Sequence, residues 1–155
     1  MQQDAFKLLK TIHLVIVTSI TGFTVLIYVL FKRGLLHAGA PSMERTLQVT
    51  AILVSLVLFI IGLNLFKRQI LKARNSNKDG VGRFQLYRNA CIAWWAMIEG
   101  PGLFAVVCFT LTGSYAFLVF AAAHILALII FMPRKENIAV LLNLSSQEVD
   151  QLEGK

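Results

Sequence analysis

One carboxylate stands in the middle of a stretch otherwise suited to hydrocarbon. Glu99 lies within Asn89 to Leu111, NACIAWWAMIEGPGLFAVVCFTL, and Pro101 follows two residues later between Gly100 and Gly102. A charged side chain at the bilayer centre costs roughly 2.5–3.5 kcal/mol on insertion scales, so such residues face other helices or water and mark assembly sites or proton and ion paths. Burial favours the neutral carboxyl. Glu99 is therefore either a reversible proton binder or a protonated group that hydrogen-bonds a neighbouring helix. Proline supplies no N–H for the carbonyl of Met97, which predicts a helix break at Gly100-Pro101-Gly102 beside the only acid of the segment.

Depth suggests a partner. The run from Tyr115 to Phe131 is centred near Ala123, which places His124 at about the level of Glu99, and only Thr112-Gly113-Ser114 separates the two segments. A contact between Glu99 and His124 is available if the helix faces meet. Trp94 and Trp95, with Arg88 just outside the segment, read as anchors at a membrane interface. A stacked aromatic wall for a lipophilic cation is the other reading of the tryptophans. No cluster of Cys, His and carboxylate has metal-ligand spacing. His13 lies about 9 Å along the axis from the level of His124, which argues against a bis-histidine haem. No metal, cofactor or enzymatic chemistry is expected. Cys91 and Cys108 are 17 residues apart on one segment, about 25 Å along a helix, and cannot bridge each other.

The elements that must position Glu99 follow from composition. Of 155 residues 57% are hydrophobic and the mean hydropathy is +0.69, above the roughly 45–50% apolar content of soluble domains. Four apolar runs, about 12–31, 49–66, 89–111 and 115–131, are each near the ~20 residues needed to cross the hydrocarbon as a helix. The expected fold is an all-α membrane protein, with four transmembrane helices forming two antiparallel hairpins in a single domain. A short amphipathic tail, 133–155, follows, in which Ser145 and Glu148 fit a capping box. The first run is read as a retained helix. Ala38-Gly39-Ala40 resembles a cleavage site, but the run exceeds a 7–15-residue signal core and Lys32-Arg33 intervenes.

Charge gives the orientation. With the N-terminus inside, Lys7 and Lys10, the middle-segment residues Lys67, Arg68, Lys72, Arg74, Lys78, Arg83 and Arg88, and Arg134, Lys135 and Lys155 are cytoplasmic, twelve basic residues against Lys32, Arg33 and Arg45 outside. That bias predicts both termini in the cytoplasm. It also explains the net charge of +7 through topology and attraction of anionic lipid to the basic middle segment, with no need for nucleic acid. Asn75 to Gly82 has the composition of a flexible turn.

Two resemblances follow from these residues. The run Glu99-Gly100-Pro101-Gly102-Leu103-Phe104-Ala105-Val106-Val107 resembles the carboxylate helix of rotary ATPase proteolipids, which implies an ion-binding acid within an assembled ring. Thr11-Ile12-His13, the Glu99 to Phe104 stretch, Leu111-Thr112-Gly113 and Pro133 before a short tail resemble a group of small bacterial four-span membrane proteins. That likeness implies the architecture and a bacterial inner membrane, and carries no activity with it. The expected function is an assembly or accessory component that joins with itself or a membrane partner around Glu99. The alternative is a proton-coupled transporter of small molecules or ions that uses the same residue.

Overall fold

The computed structural model describes residues 4–153, so Gly154 and Lys155, to which the tail reading extends, lie outside the described residues. All of the regular structure is helical, with no strand among the described residues. Helix α1 spans Ala5–Lys32, and its start is set by Asp4, whose carboxylate accepts the N–H of Lys7 at 3.0 Å. A 3-10 turn at Pro41–Met43 leads into α2, Glu44–Arg74. Helix α3 spans Gly80–Thr112, α4 Tyr115–Ile130, α5 Lys135–Leu142 and α6 Ser146–Leu152.

The basic middle segment is less of a loop than its composition suggests. Lys67, Arg68, Lys72 and Arg74 all belong to α2, and α3 begins at Gly80, because Asp79 caps it by accepting the N–H of Gly82 at 2.9 Å. The link is thus confined to Asn75–Asp79, since an N-cap carboxylate recruits even Gly80 and Gly82 into a first turn. At the other end of α3, Gly113 adopts a left-handed conformation (φ 73°) and returns its N–H to the carbonyl of Phe109 at 2.8 Å.

Three helices, α1, α2 with its preceding turn, and α3, are long and apolar enough to cross a membrane. A fourth crossing is present if α4 and α5 count as one broken span, bent by 68°. Helix α4 alone has 16 residues, about 24 Å, which is short of a ~30 Å hydrocarbon core. Pro133 ends the run, since its ring cannot continue the helical ladder.

Helix α3 is the hub. Half of its most apolar stretch is buried, against 6% for α1 and 11% for α2. It packs along α2 and α4, then along α1, and reaches α6, whereas consecutive α1 and α2 share at most marginal contact. Toward the start of α3 the core gathers Phe84, Tyr87, Trp94, Trp95 and Ile98 with Leu9 and Leu128. Toward its end Ala105, Val106, Cys108 and Phe109 meet Ala51, Phe117 and Ala121. The small residues of this second cluster let the helices approach closely, the usual basis of packing where lipid removes the hydrophobic drive. The outer faces of α1 and α2 stay apolar, with Leu14, Val15, Ile52 and Leu56 each more than half exposed, as expected where the solvent is lipid.

Candidate functional site

The expected break at Gly100-Pro101-Gly102 is not an interruption, because α3 runs unbroken through it. Pro101 and Gly102 are buried, and neighbouring helices hold the backbone in register where one ladder bond is missing. A Cβ on Gly102 would lie 2.8 Å from Ile20 Cδ1 of α1 and 3.0 Å from His124 Cβ of α4. The glycine is what allows three helices to converge there. Gly100 is exposed, and a Cβ added to it would meet nothing within 4 Å.

Glu99 is half-buried and lines a shallow groove of about 480 Å³ between α1 and α3, with Ser19, Phe23, Leu103, Phe104 and Val107. It makes no hydrogen bond or ion pair among the described residues. Ser19 and Gly22 are exposed on the α1 side, so the rim of the groove is low next to the carboxyl.

His124 does not meet Glu99. Its Nδ1–H donates to the carbonyl of Phe120 at 2.9 Å, and Ser55 Oγ of α2 lies 2.8 Å from Nε2. A carbonyl only accepts, so a neutral ring carries its proton on Nδ1 and takes the Ser55 hydroxyl proton at Nε2. The ring turns toward α2 beside Gly102, while Glu99 leaves α3 on the α1 side.

The tryptophans are core residues rather than interface anchors. Trp94 and Trp95 are 2% and 1% exposed. Trp94 packs against Phe59, Phe66 and Phe131 with ring centroids 5.2, 6.0 and 5.3 Å away. Its Nε1 is buried without an acceptor among the described residues, whereas an anchoring indole would direct that N–H toward headgroups. The close approach of α2 explains the burial: a Cβ on Gly62 would lie 2.9 Å from the Trp94 ring. Arg88 is half-buried at the same end of α3.

Two polar contacts had no role in the sequence reading. His13 is 3% exposed, and its Nε2–H donates to the carbonyl of Leu128 at 2.9 Å, with its ring edge-on to Trp95 at 4.7 Å. That carbonyl lies in the last turn of α4, where intrahelical donors run out before Pro133. The second contact draws the tail onto α3. The guanidinium of Arg83 donates to the carbonyls of Leu142 at 2.9 Å and Asn143 at 3.2 Å and pairs with Glu148. Glu148 also closes the capping box with Ser145. Hydrogen bonding by the Ser145 backbone N–H, and then by Arg83, holds the Glu148 carboxyl below the usual carboxylate range. A Cβ on Gly80 would meet Glu148 Cβ at 2.7 Å, so the glycine at the start of α3 is also where α6 lands. Through these contacts α6 folds back onto the start of α3. The capping motif was legible in advance, while the pairing of Arg83 with residues about 60 positions away had no local signal.

These placements leave Glu99 as a carboxyl within the apolar stretch of α3 with no hydrogen bond or ion pair among the described residues, and no protein-family model, curated protein or solved structure matches the chain.

Proposed function

We propose that this is a small multi-pass protein of the bacterial inner membrane, with four crossings arranged as two antiparallel hairpins and both termini in the cytoplasm. It acts by assembly, with another copy of itself or with a membrane partner, through the groove around Glu99. One observation carries the reading: a half-buried carboxyl in the middle of an apolar stretch opens sideways between α1 and α3 and has no partner among the described residues. An acid facing lipid in that way costs several kcal/mol unless a polar group from outside covers it. The exposed Ser19, Gly22 and Gly100 beside it are the small residues that let a further helix come close.

The test is a mass measurement in mild detergent. The parent should run as a multiple of the 17.3 kDa chain or with a bound partner, and Glu99→Leu should run as the lone chain. Glu99→Gln should still assemble, since the amide keeps the hydrogen bonds. A parent that is monomeric and partner-free would end the proposal.

A second reading, proton-coupled transport, draws on the same lack of a fixed cation beside Glu99. It requires the carboxyl to gain and lose a proton in a working cycle. In that case its infrared carboxyl band should titrate with pH, and Glu99→Gln should abolish the response while leaving assembly intact.

A further inference from the structure

A second cavity, of about 500 Å³, opens where the start of α1 meets the bend between α4 and α5. Lys7 and Lys10 come from α1, Arg134 from the link after Pro133 and Lys135 from the start of α5. Asp4 and Glu136 also line it, but the Asp4 carboxylate is occupied in capping the Lys7 N–H. Lys135 pairs with Glu153 from the end of the tail. Lys7, Lys10 and Arg134 form no ion pair among the described residues, so three cations from two elements face a space shared with two carboxylates, Asp4 and Glu136, and the balance there is positive.

The floor of the same cavity is apolar, made by Phe6, Met132, Pro133 and Ile138. Its depth is also defined. The apolar run of α1 begins near Ile12 and that of α4 ends near Phe131, so the cavity straddles the edge of the hydrocarbon, where lipid phosphates lie. Beside it, Ile130 and Met132 are 68% and 38% exposed, an apolar wall against which acyl chains can run.

We propose that this cavity binds the headgroup of an anionic phospholipid. The phosphate is held by Lys7, Lys10 and Arg134, and the acyl chains follow the exposed end of α4. The 68° bend at Pro133 builds the site by turning α5 away from the α4 axis and opening a notch beside α1. This inference is independent of Glu99. It concerns a discrete bound lipid, as distinct from the diffuse attraction of lipid to the basic end of α2.

The experiment is native mass spectrometry of the full chain, delipidated and then offered phosphatidylglycerol, phosphatidylethanolamine or soluble glycerol phosphate. Phosphatidylglycerol should be retained at least about tenfold better than phosphatidylethanolamine. Each of Lys7→Gln, Lys10→Gln and Arg134→Gln should weaken retention by about fivefold, the factor that corresponds to one basic residue at an anionic surface. The charge-matched set Lys67→Gln, Arg68→Gln and Lys72→Gln should leave it unchanged. Equal loss from both sets, no preference for phosphatidylglycerol, or glycerol phosphate binding as well as the lipid would each overturn the proposal. If a lysine variant loses helicity, Arg134→Gln is read alone, with Arg134→Lys expected to restore binding.

Discussion

Gly100 and Gly102 flank the same proline, about 200° apart around one helix, and their surroundings are opposite. Gly102 is closed in by Ile20 and His124, whereas Gly100 faces open space. The polar residues divide in the same way. His13 is engaged through Nε2 by Leu128, and His124 through both ring nitrogens by Ser55 and Phe120, while Glu99 opens into a lateral groove. The inward side of α3 is thus completed by the chain's own residues. Its outward side carries Glu99, half-buried in the groove and without a hydrogen-bond partner among the described residues, which is the observation that the proposed assembly rests on.

The contrast can be broken in several ways, and the largest effect is expected at His13. His13→Ala removes a buried ring packed on Trp95 and leaves the Leu128 carbonyl without its donor. A loss of about 2–4 kcal/mol is expected, most of it from the cavity, read as a lower denaturation midpoint in detergent. Gly102→Leu should follow, at about 1–3 kcal/mol, because the added side chain has to push α1 and α4 off α3. Gly100→Leu should leave the midpoint of the isolated chain within about 0.5 kcal/mol and impair assembly instead. Equal destabilisation at the two glycines would mean that the inner and outer sides are not distinct. Ser55→Ala should cost only about 0.6 kcal/mol, the average for a hydrogen bond between membrane helices.

How far this was legible in advance depends on the kind of information each feature needs. The apolar runs, Glu99, the tight connection at Gly113 and the Ser145–Glu148 cap are local in the chain and could be read there. The inward face of α3 could not. This helix is apolar all round, with Trp, Phe, Ile and Val on every side, so there is no polar stripe to mark the lipid face. For the same reason the tryptophans read as anchors and His124 as a partner of Glu99: depth follows from counting along the axis, but rotation follows only from packing. His13 illustrates the limit well. Its value lies in a carbonyl left over by Pro133 about 115 residues away, and no spacing rule links the two.

The tail gives the smallest effect on the fold and a pH test of known sign. Because the Glu148 carboxyl is held below its ordinary value, its contribution is present above the usual glutamate range, about 4.3, and is lost as pH falls through the lower value of the folded state. Protease cutting between α5 and α6 should be slow at neutral pH and accelerate only in acid below that range. Glu148→Gln should be cut faster than the parent at neutral pH and show no acceleration in acid, with the transmembrane core unchanged. Cutting that is independent of both would show that Arg83 does not hold the tail.

The most direct test of the outward face is cross-linking in native membranes, in a chain carrying Cys91→Ala and Cys108→Ala. With Gly100→Cys added, a short bifunctional reagent should join the chain to a second copy or to a membrane partner and give a species heavier than 17.3 kDa. With Ala105→Cys, placed at a fully buried position, no such species should form. A chain that stays single with Gly100→Cys, while the same cysteine reacts readily with a lipid-soluble maleimide, would contradict assembly through the Glu99 face.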